Sequence, residues 1–210
     1  MLRLSKLGSI HGRSVISTRS AKCWKCDHEA ADAVFCPMCS VIQKPSEEKS
    51  PFQRLDIPVS YSINDKKVKN NFRKLQSLVH PDKFGSKSKE EKYFSDKHSA
   101  LLNDAFKTLN DPLTRGEYML GTHNIKEDDT NNDPMLLMEM MELNEEIDCI
   151  KDEKELFTKK DELLKIKEDL VVEIEAAFKA GNIQAAKVLL IKLKFLTSAA
   201  LHIIKKLGLE

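Results

Sequence analysis

The stretch FRKLQSLVHPDKFGSKS, Phe72 to Ser88, sets a strongly periodic pattern against an abrupt stop. Val68, Phe72, Leu75 and Val79 recur at helical spacing, with Leu78 beside them, as expected for a helix with one apolar face. Asn64 is placed to cap its start. Pro81 disfavours helical geometry at His80, so the helix ends there. After the polar loop DKFGSKSK, Ser88 and Glu91 have capping-box spacing for a second helix. Its inner face would be Phe94, Leu101, Leu102, Ala105, Phe106 and Leu109, and Pro112 closes it. The simplest arrangement is two antiparallel helices joined by the loop. His80-Pro81-Asp82 is then either a stop signal alone or the working part of the molecule.

The rest of the chain sets the frame. Its 210 residues allow one ordinary domain or two to three small ones. Charged residues make up 32% and aromatic residues 6%, the profile of a mostly helical protein. No window approaches the roughly 18 apolar residues of a membrane span. A net charge of +1 gives no overall pull toward nucleic acid or membrane, so any electrostatic role lies in local clusters.

Residues 1–22 carry Arg3, Lys6, Arg13, Arg19 and Lys22 among serines and spaced Leu and Ile, and the first acidic residue is Asp27. This basic, Ser-rich, amphipathic start reads as a mitochondrial transit peptide. Residues 23–43 hold Cys23, Cys26, Cys36 and Cys39, two CxxC pairs nine residues apart. Two such knuckles supply four sulfurs to one closed tetrahedral site, and zinc, being redox-inert, suits it as one structural ion. A segment this small buries too little apolar surface to order itself, so the metal would supply folding energy. A redox pair or disulfides are the alternatives, but no βαβ context is present for a thioredoxin-like motif. Cys149 reads as a small core or surface residue.

Residues 44–51, KPSEEKSP, form a linker, and the helical region just described spans 52–121. The polar, acidic stretch 122–133 reads as a second linker. Residues 134–210 contain three helical patterns with short connections, hence an antiparallel three-helix bundle. They begin at about Pro134, Lys154 and Ile183, and Gly181-Asn182 punctuates the second junction. The fold class is therefore all-α: a helical hairpin plus a C-terminal antiparallel bundle, preceded by a small zinc-binding module.

Two further clusters carry function. Lys66, Lys67, Lys69, Arg73 and Lys74 crowd the helix ahead of His80, off its apolar stripe. Such charges usually make a solvated face. In PMLLMEMMELNEEID, residues 134–148, the methionines and leucines exceed what one buried stripe needs. The surplus points to an exposed apolar patch of adaptable side chains. There is no GxxxxGK, GxSxG, HExxH or GxGxxG. His80 and Asp82 have no third catalytic partner in sight, and the chain reads as a non-enzyme.

A basic helix, then FRKLQSLVHPDKF, then NDAFKTLNDP, then RGEYML stand in the order of a J-domain, which this region resembles. The resemblance implies docking on a DnaK-type chaperone and stimulation of its ATP hydrolysis. It assigns that role to His80, Pro81 and Asp82, with Lys66, Lys67, Lys69, Arg73 and Lys74 meeting an acidic surface. The physical chemistry agrees: Pro81 stiffens the loop, Asp82 can accept bidentate bonds from an arginine, and the lysines would steer association. The opening SPFQRLDI lacks the tyrosine often found where a J-domain begins.

With the acidic linker, LLMEMMELNEEID, a helical hairpin and KLKFL, the chain resembles the HscB-type co-chaperones of iron–sulfur cluster biogenesis. The cysteine module and transit peptide resemble their animal mitochondrial form. The resemblance implies that the bundle binds an IscU-type scaffold protein through Leu137, Met138, Met141, Glu142 and Glu145, with Phe195 from the last helix. Leu137, Met138, Met141 and Glu145 lie on one side of a helix. It implies a mitochondrial DnaK-type chaperone as second partner, a matrix location with a cytoplasmic pool allowed, and neither nucleic acid nor membrane as partner. The alternatives are a general mitochondrial J-protein delivering unfolded clients, or a nucleic-acid-binding zinc ribbon. The latter needs a basic, aromatic-bearing face, whereas charges near Trp24 and Phe35 are balanced. An enzyme at the metal is least favoured, because four cysteines leave no open coordination position.

Overall fold

The computed structural model describes residues 22–31, 33–121 and 134–209. The expected transit peptide, except Lys22, and the expected linker at 122–133 lie outside the described residues.

The described residues between 22 and 43 form no regular helix or strand, only two isolated antiparallel bridges, Lys22 to Glu29 and Phe35 to Ile42. The chain then enters a short helix, α1 (Pro51–Arg54), held by a reciprocal capping box between Ser50 and Gln53. The expected linker thus ends inside the first helix. Next comes α2 (Asp65–Val79), where the Asn64 side chain accepts from the Lys67 N–H. A 3₁₀ turn, Pro81–Phe84, follows directly. The long helix α3 (Lys89–Asn110) opens on the expected Ser88–Glu91 box. Asp111 then caps α4 (Pro112–Leu120), with Pro112 at its first turn, where a missing N–H costs nothing. Val68, Val79, Phe84, Leu102, Ala105 and Leu109 form one core with Phe52 and Leu55. Phe72 and Phe106 stack across α2 and α3 at 4.4 Å.

The C-terminal unit has α5 (Pro134–Cys149), α6 (Glu153–Lys179) and α7 (Ile183–Lys206). Leu156, Leu163, Leu170 and Ile174 of α6 meet Leu190, Leu193, Leu196 and Ile203 of α7, and α5 adds Leu136, Met140 and Ile147 to the same core. The turn between α6 and α7 uses Gly181 at φ 68°, and Asn182 caps α7 through the Ala185 N–H. Lys206 Nζ donates to the Ile147 and Asp148 carbonyls, 2.7 Å each. A cation there satisfies the exposed acceptors at the end of α5 and opposes its dipole. Cys149 is on the surface.

The two units share a buried boundary that periodicity does not reveal. Tyr61, in the loop before α2, is 2% exposed and belongs to the bundle core, where its ring stacks on Phe178 at 5.3 Å. Arg115 on α4 is buried beside it. Its guanidinium donates to the Tyr61 carbonyl at 2.7 Å and the Leu109 carbonyl at 2.9 Å, and stands 5.5 Å from the Tyr61 ring centre. Asp65 lies 3.7 Å from the same guanidinium. A buried arginine needs this set of acceptors to offset its lost hydration.

Candidate functional site

The exposed turn after α2 is built by its neighbours. His80 has extended rather than helical backbone angles, φ −59° and ψ 130°, as the following proline demands. Its Nδ1 accepts from the Asp82 N–H at 3.3 Å and lies 3.5 Å from an Asp82 carboxylate oxygen. The imidazole therefore caps the 3₁₀ turn that carries Asp82. His80 and Asp82 are exposed, Pro81 half-buried, and Phe84 drops into the core as the anchor. Lys66, Lys67, Lys69, Arg73 and Lys74 are all exposed on α2, whose opposite side buries Val68 and Val79. One helix thus presents cations along its open side and a constrained His-Pro-Asp turn at its end.

The four cysteines converge through two equivalent knuckles. The Asp27 N–H donates to the Cys23 carbonyl and the Ser40 N–H to the Cys36 carbonyl, at 3.0 and 2.9 Å. Asp27 and Ser40, each directly after a CxxC pair, both take positive φ, 57° and 56°. The four Sγ atoms lie within 4.8 Å of one another, with Cys23–Cys39 at 3.6 Å and Cys26–Cys36 at 3.7 Å. A tetrahedron with metal–sulfur bonds of about 2.3 Å has sulfur edges of about 3.8 Å. The donor set therefore fits a four-coordinate metal ion, and disulfide contact is excluded by distance. Burial opposes charge on Cys23, but the N–H groups of Lys25 and Cys26 and neighbouring thiols hold it down to about 6. For Cys26 the His28 N–H favours the thiolate, yet burial and the surrounding sulfurs push it up to about 12. Four thiolates in one cavity need a cation at their centre. The Gln43 amide adds a donor to Cys23 Sγ at 3.4 Å.

This module is fastened to α3. The Trp24 indole N–H donates to the Ile42 carbonyl at 2.8 Å, and its ring meets Phe94 edge-on at 5.9 Å. Ile42 is fully buried in the core shared with α2 and α3. His98 Nε2 bonds the Gln43 carbonyl at 2.9 Å. Periodicity could place Phe94 on an inner face; it could not show that part of that face receives the cysteine module.

On α5, Leu136, Met140 and Ile147 point inward, while Met135, Leu137, Met138 and Met141 are 75, 41, 63 and 58% exposed. Glu142 and Glu145 are exposed as well. The expected apolar patch is present, with acidic groups beside it. Phe195 on α7 is half-buried and packs against the bundle core. No helix among the described residues is long and apolar enough to cross a membrane.

Known proteins match this arrangement. Residues 132–203 match the family model described as the HSCB C-terminal oligomerisation domain. The mouse iron–sulfur cluster co-chaperone protein HscB is 33% identical over 207 residues, covering 92% of this chain and 88% of the mouse protein. The human protein of that name is 35% identical over 186 residues, covering 84% of this chain and 78% of its own length. The crystal structure of human co-chaperone protein HscB superposes with a TM-score of 0.81 at 32% identity, over 89% of this chain and 98% of the human one. Shared sequence across both units, with the same fold over nearly the whole described length, means that this chain belongs to the HscB family of iron–sulfur cluster co-chaperones.

Proposed function

We propose that this protein is an adaptor of the mitochondrial matrix that joins an iron–sulfur scaffold protein to a DnaK-type chaperone and stimulates the chaperone's ATP hydrolysis, so that ATP turnover drives cluster transfer. The observation that carries this reading is the presence of two exposed surfaces on two mutually packed units. One is the His80-Pro81-Asp82 turn beside Lys66, Lys67, Lys69, Arg73 and Lys74. The other is the Leu137, Met138 and Met141 face of α5, bordered by Glu142 and Glu145, with Phe195 as its expected addition from α7.

Each surface suits its partner chemically. The α2 cations favour an acidic docking site and make association salt-sensitive. The exposed methionines adapt to an apolar partner surface, and the flanking carboxylates favour a basic rim. Holding both partners on one chain raises the effective concentration of scaffold at the chaperone. The cysteine module takes one structural zinc ion in this reading, since a closed set of four thiolates leaves no coordination position for catalysis.

The test is a stimulated ATPase assay with the mitochondrial chaperone, with and without scaffold. His80→Gln should abolish stimulation and leave scaffold binding intact. Triple alanine at Leu137, Met138 and Met141 should do the reverse. If both folded variants lose both activities, the two-surface adaptor is wrong. Equal binding of many unfolded clients in a pull-down would favour a general J-protein instead.

A further inference from the structure

The end of α2 is chemically incomplete. Pro81 has no N–H, so the Ser77 carbonyl, four residues earlier, cannot receive its ordinary helical bond. The Lys83 N–H, which would serve the Val79 carbonyl in a continuing helix, instead donates to the His80 carbonyl at 3.0 Å. Val79 is 2% exposed, and a buried carbonyl needs a donor.

Two side chains fill these positions. The Ser95 hydroxyl on α3 donates to the Val79 carbonyl at 2.7 Å. Lys83 Nζ reaches back to the Ser77 carbonyl at 2.5 Å. Ser95 is completely buried, so no partner protein can touch it. Its bond falls on the peptide that joins Val79 to His80, the last rigid link before the His-Pro-Asp turn.

We infer that Ser95 is a positioning residue for chaperone stimulation: it fixes the peptide from which His80 departs, and Lys83 completes the same helix end from the solvent side. This rests on the adaptor reading above. The geometry gives the turn a fixed departure angle from α2 without engaging His80 or Asp82 themselves. Both side chains therefore stay available to a partner while the backbone beneath them is held.

Ser99 provides an internal control. It lies one helical turn from Ser95 on α3, is also buried, and accepts from the Gln76 side chain at 2.5 Å rather than bonding the turn's backbone. Ser95→Ala and Ser99→Ala each remove a buried hydroxyl between α2 and α3, but only the first frees the Val79 carbonyl.

The experiment measures amide hydrogen exchange of the free full chain, then maximal ATPase stimulation of a DnaK-type chaperone. Ser95→Ala should speed exchange at Lys83 and Lys87 and lower maximal stimulation at least tenfold. Ser99→Ala should change neither, even if its melting temperature falls as far. Should Ser95→Ala not fold, Lys83→Met replaces it, with a smaller loss that Lys83→Arg restores. Equal behaviour of the two alanine variants, or wild-type exchange and stimulation in Ser95→Ala, would overturn the inference. For the fallback pair, wild-type stimulation in Lys83→Met would do so. Absence of stimulation by the wild-type chain, with turn exchange still dependent on Ser95, would overturn the adaptor reading and leave the positioning bond standing.

Discussion

A methyl group added to Gly116 on α4 would lie 2.3 Å from Leu190 Cδ2 and 2.7 Å from Cδ1 on α7. The close approach of these two helices is therefore bought with a missing side chain. Leu190 is fully buried in the bundle core and cannot swing into solvent. Gly116→Ala should cost about 1–3 kcal/mol through overpacking, read as a lower urea midpoint. Trimming Leu190 in the same chain should recover part of the loss, because the pair is in contact and couples. Additive costs in a double-mutant cycle would show that the clash is not the cause.

The Tyr61 hydroxyl is buried without a hydrogen-bond partner among the described residues. Burial raises the affinity of the phenol for its proton, so it stays neutral through the physiological range. Tyr61→Phe keeps the stack on Phe178 and the ring beside Arg115 while deleting the orphaned oxygen. Stability should hold or rise by about 1 kcal/mol. A fall of that size in thermal unfolding would mean that the hydroxyl has a partner in solution.

The cysteine module braces α3 through Trp24 on Phe94 and Gln43 on His98. Removing the proposed metal ion by chelation should loosen those contacts. Amide exchange should then rise along α3 well before it rises in α6 or α7. Trp24→Ala should reproduce part of the effect with the metal still bound. The lost aromatic contact is worth about 0.5–1.5 kcal/mol beyond its buried area. Unchanged α3 exchange after full metal removal would refute the brace.

His98 adds a pH dependence. Burial lowers its proton affinity below the ordinary 6.5, outweighing its bond to the Gln43 carbonyl; Arg54 and Lys49 act in the same direction as burial. The unfolded chain therefore takes up a proton at higher pH than the folded one. Stability is full above pH 6.5 and declines on acidification, until the folded form also protonates. His98→Gln keeps a possible donor but cannot titrate. The variant should show a shallower decline below pH 6.5, measured by denaturation across that range at fixed metal loading. Superimposable profiles would exclude His98 as the source.

Much of this fold was legible because local rules agreed with one another. Asn64, Ser88 and Asn182 all stand at the starts their chemistry dictates, and Pro112, expected only to close α3, also opens α4. The excess of methionine in α5 also gave away its two-sided character, since one helix cannot bury both Met140 and Met138 against a single neighbour. What stayed hidden was contact between units. Tyr61 and Gly116 sit in segments without long periodic patterns, and no local spacing shows that Arg115 lies beside Tyr61. Gln43 and His98 meet across 55 residues of sequence, a pairing no local spacing encodes. Ser95 was equally obscure. A serine on an inner face gives no sign of which carbonyl it will serve.

The boundary at Tyr61, Arg115 and Gly116 bears on how such proteins can be rebuilt. A foreign J-domain spliced onto this bundle would bring its own side chains to face Leu190 and Phe178. Unless it supplied a glycine, an aromatic ring and an arginine at matching places, the chimera would have a gap or a clash where this chain has a shared core. The halves are thus fitted parts of one casting, and a transplant that respects only the sequence limits of each half should lose stability before it loses either proposed docking surface.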